Sequence, residues 1–149
     1  MEIYIKMMNN NIKWEKISLP NENSKFLQCA CGDKHLICLI EDNTGKGKIY
    51  AMGDNNNYQC GIYEKNNNEG DRKFIKILTK CSEISQLNFK TVFANQDFSA
   101  AISVDNKLYI WGYLNKADYR EVRKPTLVKN NIKSQIVFDK IYIGIVTSP

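Results

Sequence analysis

The chain has 149 residues and a formal net charge of +5, with 43% hydrophobic and 25% charged residues, a composition typical of one ordinary globular domain. The longest apolar run, residues 141–146, is much shorter than the roughly eighteen residues of a membrane helix, and the N-terminus lacks the apolar core of a secretory signal. Five cysteines, an odd number without a paired C-x-x-C framework, favour a reducing compartment. We therefore expect an intracellular protein, cytoplasmic or nuclear, without membrane contact.

The positive charge lies in the second half of the chain. Residues 1–75 carry ten basic and ten acidic groups, whereas residues 76–149 carry eleven basic and six acidic groups. Such a concentration can attract an anionic partner, although a solvated Lys-rich surface is the simpler interpretation because only three of the 21 cations are Arg. The densest group is Lys116, Arg120, Arg123, Lys124, Lys129 and Lys133. Among these, Lys116, Arg120, Arg123 and Lys124 are the candidate partner-binding residues.

Strand-like segments follow one another along the chain, separated by Asn-rich tracts that favour turns. The segments alternate apolar and polar residues or form short runs rich in Ile, Val, Tyr and Phe, which predicts β-strands. In chain order they are residues 2–6, 26–31, 35–40, 48–52, 91–94, 98–103, 107–111 and 140–145.

One segment between these strands has a different periodicity. Its apolar residues recur at intervals of three and four, as on one face of an amphipathic helix. They are Phe74, Ile77, Leu78, Cys81, Ile84 and Leu87. The pattern leaves open whether this segment is a strand or contains a short helical turn within 76–87.

Comparison of the sequence with itself reveals a repeat. Residues 28–40 align with 91–103 at an offset of 63, and 48–53 align with 107–112 at an offset of 59. The difference of four residues falls in the turn at 41–47, where a true repeat tolerates deletions. The pattern extends to both ends, because residues 2–7 match 48–53 and residues 140–148 match 28–36.

The first copy of the repeat reads Ala-Cys-Gly-x-x-His over 30–35 and Ile-Tyr-Ala-Met-Gly-x-Asn-x-x-x-Gln-x-Gly over 49–61. This string resembles the repeat of the regulator of chromosome condensation family. Met52, Tyr58 and Cys60 depart from the family's Trp, Gly and Leu. The positions that match are Gly32, His35, Gly53, Asn55, Gln59 and Gly61.

The later copies are more divergent. The second copy keeps Ser99, Trp111 and Gly112 but has Asn95 for Gly and Phe98 for His, and it lacks the downstream Asn, Gln and Gly. The third copy keeps Gly144 and Ser148, with Thr147 at the His position.

The resemblance implies an all-β fold, a β-propeller of four-stranded antiparallel blades in which Trp111 fills the wedge between blades. The family's propeller has seven blades, whereas 149 residues supply about three. We expect a fragment, a short member covered by a partner, or one part of an oligomeric propeller, and we favour incompleteness or a covering partner. The expected division is repeat one at about 24–73, repeat two at about 74–128, a partial repeat at 129–149, and residues 1–20 completing an N-terminal blade.

Signatures of catalysis are absent from the sequence. There is no Gly-x-Ser-x-Gly, no His-Glu-x-x-His and no phosphate-binding Gly loop. The single histidine, His35, occupies the His position of the repeat and is expected to be packed and hydrogen-bonded. Cys29, Cys31 and His35 lack a second Cys/His pair, so we expect no metal site and no cofactor.

The function is therefore expected to be recognition. The first hypothesis is a non-enzymatic protein-interaction module, whose partner is a small GTPase or the chain that completes the propeller. The second, implied by the resemblance, is guanine-nucleotide exchange on a Ran-type small GTPase, for which no wedge residues could be matched. The third is binding of chromatin or nucleic acid through the basic second half, which the scarcity of Arg weakens.

Overall fold

The protein is described by a computed structural model that covers residues 3–9, 11–63, 74–115 and 120–129. Among these residues the structure has ten β-strands and one short 3₁₀ helix, which confirms the all-β prediction. No helix in the described part of the chain is long and apolar enough to cross a membrane.

The chain begins with a hairpin. Strands β1 (Ile3–Asn9) and β2 (Asn11–Ile17) pair antiparallel, with Ile3 opposite Ile17 and Asn9 opposite Asn11. An Asn-rich turn suits this tight reversal because Asn side chains can hydrogen-bond locally in turns.

The first four-stranded sheet follows the hairpin, and each strand pairs antiparallel with the next along the chain. The central strand β4 reads HLICLIE and is buried along nearly its whole length, as expected of a strand covered on both faces. The strands are β3 (Lys25–Cys31), β4 (His35–Glu41), β5 (Gly47–Gly53) and β6 (Ile75–Lys80).

The second sheet repeats this plan with the same sequential antiparallel pairing. Its strands are β7 (Phe89–Asn95), β8 (Phe98–Ser103), β9 (Leu108–Asn115) and β10 (Arg120–Leu127). The described residues thus form two complete four-stranded sheets and one hairpin. The strand predicted at 140–145 lies outside them.

The outer strands β6 and β10 carry the same irregularity. At one point in each sheet, the outer strand contains two extra residues between two successive cross-strand residue pairs. This holds for β6 compared with β5 and for β10 compared with β9. In each bulge a threonine hydroxyl donates to a carbonyl two residues earlier, Thr79 to Ile77 at 2.9 Å and Thr126 to Lys124 at 2.8 Å. Ile77 and Lys124 therefore hold equivalent positions, although no sequence alignment paired them.

The ambiguous segment at 74–87 contains both elements that its pattern left open. Its first part is β6, which pairs with β5, and its second part holds the 3₁₀ helix Ser82–Ile84. Because β6 belongs to the first sheet, the boundary between the sheets falls after residue 80, whereas the predicted boundary between the repeats lies near residue 73.

Two apolar clusters form the core. The first lies between the two sheets and includes Ile37 and Ile49 from the first sheet and Val92 and Trp111 from the second. The second lies on the opposite face of the first sheet, where Ile17 and Ile3 of the hairpin pack against Leu36, Ile40 and Tyr50. The first sheet is therefore covered on both faces.

Candidate functional site

Four residues of the repeat motif meet where the two sheets face each other, and we call this group the polar junction. His35 is the first residue of β4, Gln59 lies in the turn after β5, Ser99 is in β8 and Trp111 is in β9. All four are buried; His35 is 5% exposed and the other three are 0% exposed. Buried polar side chains need hydrogen-bond partners, so their pairing defines the site.

One carbonyl oxygen organises the junction. The Ser99 hydroxyl donates to the Gln59 carbonyl at 2.8 Å, and the Trp111 indole N–H donates to the same oxygen at 2.9 Å. His35 Nε2 lies 2.8 Å from Ser99 Oγ. Since the serine proton is directed at Gln59, Ser99 Oγ accepts from Nε2–H, which assigns the proton of His35 to Nε2.

The Ser99 and His35 pair has the composition of a nucleophile and its base, but its geometry does not suit catalysis. A general base must accept the hydroxyl proton, whereas here His35 donates and the proton of Ser99 is held by a backbone carbonyl. Ser99 is also completely buried. The pair is arranged to join two sheets.

Burial determines the protonation of His35. It lowers the pKa of the imidazole to about 4, and the nearby charges of Asp54 and Asp33 and the Phe98 backbone only partly oppose this. His35 is therefore neutral at neutral pH. Its Nδ1 has no hydrogen-bond partner among the described residues and faces the backbone of Gly32, where a Cβ would overlap the imidazole ring.

The turn after β5 holds Gln59 in place through Asn55. The Asn55 side chain donates to the Ile62 carbonyl at 2.9 Å and accepts from the Cys60 N–H at 3.1 Å. Tyr58, which replaces the glycine of the family pattern, has a φ of 58°, in the left-handed region that glycine adopts without strain. Gly61 lies against Trp111, because a Cβ at residue 61 would come within 2.8 Å of the indole nitrogen.

Gly53, the last residue of β5, and Gly112, inside β9, have the same conformation in the third strands of the two sheets. Their φ values are 108° and 98°, and a Cβ at either position would overlap the carbonyl oxygen of Lys34 or Asp97 respectively. Each of these two carbonyls accepts a 2.8 Å hydrogen bond from the residue after the glycine, Asp54 or Tyr113. Glycine is required here by the close approach of two backbones.

Two further polar side chains of the first sheet bind the second sheet or the segment that leads into it, and the sequence did not predict these contacts. The Gln28 amide donates to the Val92 carbonyl at 3.0 Å and accepts from the Val92 N–H at 3.0 Å. The Lys48 ammonium donates 2.8 Å hydrogen bonds to the carbonyls of Ser85 and Leu87 and to the Asn88 side chain. In the sequence, each could have been recognised as a polar residue inside an otherwise apolar strand.

The cysteines and His35 do not come together as metal ligands. Cys29 lies beside Cys38, whereas His35 is directed at Ser99. In the described ranges no group of three His, Cys, Asp or Glu side chains is placed to hold a metal ion.

The candidate partner-binding residues are placed differently from one another. Arg123 lies over the Tyr58 ring, 5.6 Å from its centroid, and its Nε is 3.4 Å from Glu121, whereas Lys124 is exposed on the bulge of β10. Arg120 is the first residue of β10. Lys116, Lys133, Gly144 and Ser148 lie outside the described residues.

Known proteins share this sequence pattern over most of the described chain. No family model matches. The chain is 30% identical over 89 residues to the ultraviolet-B receptor UVR8 of Arabidopsis thaliana, covering 60% of this chain and 18% of the receptor. It is 33% identical over 95 residues to the X-linked retinitis pigmentosa GTPase regulator of Canis lupus familiaris, covering 64% of this chain and 8% of that protein.

Solved structures share the fold. Prp20p from Saccharomyces cerevisiae, studied for its binding to Gsp1p and histones, matches with a TM-score of 0.68 at 23% identity, over 83% of this chain and 30% of Prp20p. Yeast RCC1 (Prp20) in complex with Kap60 matches with a TM-score of 0.64 at 25% identity, over 80% of this chain and 28% of that chain. The two four-stranded sheets are thus propeller blades, and this chain spans less than a third of each of the proteins named here.

Proposed function

We propose that this chain, which carries repeats of the regulator of chromosome condensation family, is a non-enzymatic protein-interaction module within a larger propeller or complex. The observation that carries the proposal is the burial of the polar junction. Ser99 and His35 are directed at neighbouring blade residues and not at solvent. Ser99 and His35, which have the composition of a nucleophile and its base, therefore join the two blades. Binding of a partner must then involve exposed residues.

The exposed residues that suit recognition lie on the bulges of β6 and β10, residues 76–78 and 123–125, which we call the outer rim. Ile77 is 75% exposed, and Lys124 is exposed at the equivalent position of the second blade. An apolar side chain and a cation at matched positions suit a partner with an acidic, partly apolar face.

The number of blades supports a role within a larger assembly. The described residues supply two four-stranded blades and a hairpin, whereas closed propellers have four to eight blades. Further blades, from a longer chain or from other copies, would cover the remaining blade faces. Sedimentation of the isolated chain tests this point: we expect self-association or aggregation, and a stable monomer at all concentrations would contradict it.

Regulation of a small GTPase is the second candidate function. One relative is named a GTPase regulator, and Prp20p was studied for binding to Gsp1p. Nucleotide exchange would require residues that compete with bound phosphates, and no such group is identified among the described residues. Binding without exchange is the form of this candidate that the surface favours.

Binding of chromatin is favoured less, although Prp20p was also studied for binding to histones. Histones are cationic, and the basic outer rim would repel them. The DNA of chromatin would attract the rim, with an affinity that falls steeply as salt rises.

A binding experiment separates these candidates. The chain is titrated with Gsp1p, with histones and with duplex DNA, and hydrogen exchange identifies the protected backbone. We expect protection of β6 and β10 by a protein partner and unchanged exchange at the polar junction. Protection by DNA alone would replace the interaction module with nucleic-acid binding, and accelerated release of a fluorescent guanine nucleotide from Gsp1p would establish exchange activity.

A charge reversal tests the outer rim directly. Lys124→Glu should weaken binding to an acidic protein partner roughly tenfold and reduce its salt dependence. Lys46→Glu is the matched control, because Lys46 is an exposed lysine in the turn between β4 and β5. Equal effects of the two variants would show that only net charge matters and would remove the rim as the binding surface.

A further inference from the structure

Two cysteines face each other on neighbouring strands of the first blade. Cys29 of β3 and Cys38 of β4 are register partners in the antiparallel ladder, and their sulfur atoms are 2.7 Å apart. Both are free thiols. Neither cysteine belongs to the polar junction, so the contact between the two sulfur atoms does not serve to join the blades.

The register of this pair is compatible with a disulfide. Directly opposed residues of an antiparallel pair have Cα atoms about 4.5 or 5.5 Å apart. Disulfides bridge Cα atoms separated by about 4.4 to 6.8 Å. The ladder therefore places Cys29 and Cys38 within the range of Cα separations that a disulfide bridges.

The two thiols differ in access and in acidity. Cys38 is 0% exposed within the second apolar cluster, whereas Cys29 is only half-buried. The sulfur hydrogen bond with Cys38 lowers the pKa of the Cys29 thiol, and the same contact together with burial raises the pKa of Cys38. Of these two thiols, an oxidant from solution therefore meets Cys29 first, and Cys38 is placed to react second.

We propose that Cys29 and Cys38 form a reversible redox modification site that accepts a disulfide oxidant such as oxidised glutathione. The Cys29 thiolate attacks one sulfur of glutathione disulfide, which gives a mixed disulfide at Cys29 and releases one glutathione thiolate. The Cys38 sulfur attacks the Cys29 sulfur and its proton passes to the departing glutathione thiolate, which forms the intrachain bond and releases the second glutathione as a thiol. Two protein thiols are oxidised and one glutathione disulfide is reduced.

The other three cysteines are unsuited to this reaction. The Cys60 thiol donates to the Asp54 carbonyl and the Cys81 thiol donates to the Cys60 carbonyl, and both residues are buried. Burial raises the pKa of Cys60 to about 12 and also raises the pKa of Cys81. Cys31 is exposed, but the residue opposite it in the ladder is Leu36, so it can be capped and has no resolving partner across the strands.

Thiol counting in glutathione buffers tests the proposal on the intact chain. The reduced protein is equilibrated at stepwise ratios of oxidised to reduced glutathione, quenched in acid, alkylated and weighed. Of the five cysteine thiols, we expect those of Cys29 and Cys38 to be lost together with the mass of two hydrogens, reversed by reduced glutathione. A glutathione cap on the exposed Cys31 adds its own separate mass. A chain that keeps the thiols of Cys29 and Cys38, or that stops at a glutathione adduct on either of these two residues, would overturn the proposal.

Tryptic mapping then assigns the bond. Cleavage after Lys25, Lys34 and Lys46 places Cys29 and Cys31 in one peptide and Cys38 in the next, so a cross-linked pair of these peptides is expected. Cys31→Ser is the matched control and should keep the cross-link, whereas Cys29→Ser should lose it. Cys38→Ser should stop at a glutathione adduct on Cys29. A bond between Cys29 and Cys31, which leaves Cys38 in an unlinked peptide, would refute the assignment.

Discussion

The first and second blades have the same backbone conformation at one glycine of the third strand, although the side chains around that glycine differ. Gly53 and Gly112 share a left-handed conformation and a close approach to a neighbouring turn. The residue that starts the second strand is His35 in the first blade and Phe98 in the second. Both copies of the repeat thus keep the glycine that the backbone conformation requires, whereas the residue at the His35 position differs between them.

The polar junction explains why the second copy can differ. His35 and Gln59 come from the first blade, and Ser99 and Trp111 come from the second. One junction therefore combines part of one repeat with a different part of the next. The substitution of Phe98 for His leaves this junction intact, because the second blade contributes other residues to it.

The largest expected effect is at the shared backbone position. Gly53→Ala and Gly112→Ala should each lower the free energy of unfolding by about 4 kcal/mol, because a Cβ adds left-handed strain and overlap with a carbonyl. Chemical denaturation of each variant measures the change. Similar losses at both sites would show that the two blades are equally regular despite their different sequences.

Gly45→Ala is the control for this pair. Gly45 also has a positive φ, of 74°, but a Cβ there would have no atom within 4 Å. Strain alone should cost about 1 kcal/mol. A loss at Gly112 as small as the loss at Gly45 would mean that the second blade is loosely packed at this turn.

Between pH 7 and pH 4, a histidine of the first blade should make a large contribution to the pH dependence of stability. The pKa of His35 falls from 6.5 in the unfolded chain to about 4 in the folded protein, so the folded state favours the neutral ring. The contribution of His35 to the free energy of unfolding is complete above pH 6.5 and is lost as the pH falls. At pH 4 the loss is about 3 kcal/mol. Denaturation from pH 7 to pH 4 should show the loss.

The control for this titration is His35→Gln, which keeps a donor but cannot titrate. Its stability curve should lack the component that begins near pH 6.5 in the parent chain. A curve parallel to that of the parent would assign the pH dependence to carboxylates elsewhere.

Removing the hydroxyl at the junction should have the next largest effect. Ser99→Ala leaves the buried His35 Nε2–H without its acceptor and removes one donor from the Gln59 carbonyl, at a cost of about 2 kcal/mol. The exposed Ser18→Ala is the matched control and should be nearly neutral. A double-mutant cycle with His35→Phe, which copies the second blade's residue, should reveal favourable coupling; additive losses would show that the two side chains act independently.

The sequence was sufficient for the strands and the repeat because both depend on local periodicity and on self-similarity. It was insufficient for the contacts between blades, since these join residues that are not equivalent in the alignment, such as Gln59 and Ser99. The hydrogen bonds of Gln28 and Lys48 were not predicted either, because their acceptors are more than thirty residues away in the sequence. The equivalence of Ile77 and Lys124 could not be predicted, because a bulge is defined by which residues pair across strands and the sequence does not specify that pairing.

The smallest expected effect concerns the hairpins that begin the two blades. Gln96 has a φ of 41° in the two-residue turn between β7 and β8, a conformation that favours glycine. Gln96→Gly should therefore raise the free energy of unfolding by about 1 kcal/mol, since relief of strain exceeds the added flexibility of the unfolded chain. The backbone carbonyl of Gln96, which accepts from the Asp33 N–H at 3.0 Å, is unchanged by the substitution.

Asp33→Gly in the corresponding hairpin of the first blade is the matched test, because Asp33 does not have a positive φ. There the same substitution relieves no strain and should lower stability by about 0.5 to 1 kcal/mol, through the entropy that glycine adds to the unfolded chain. Opposite signs at Gln96 and Asp33 would show that the second hairpin is strained where the first is relaxed. If both variants lose stability, the difference between the hairpins has no energetic consequence, and the divergence of the second copy is confined to its side chains.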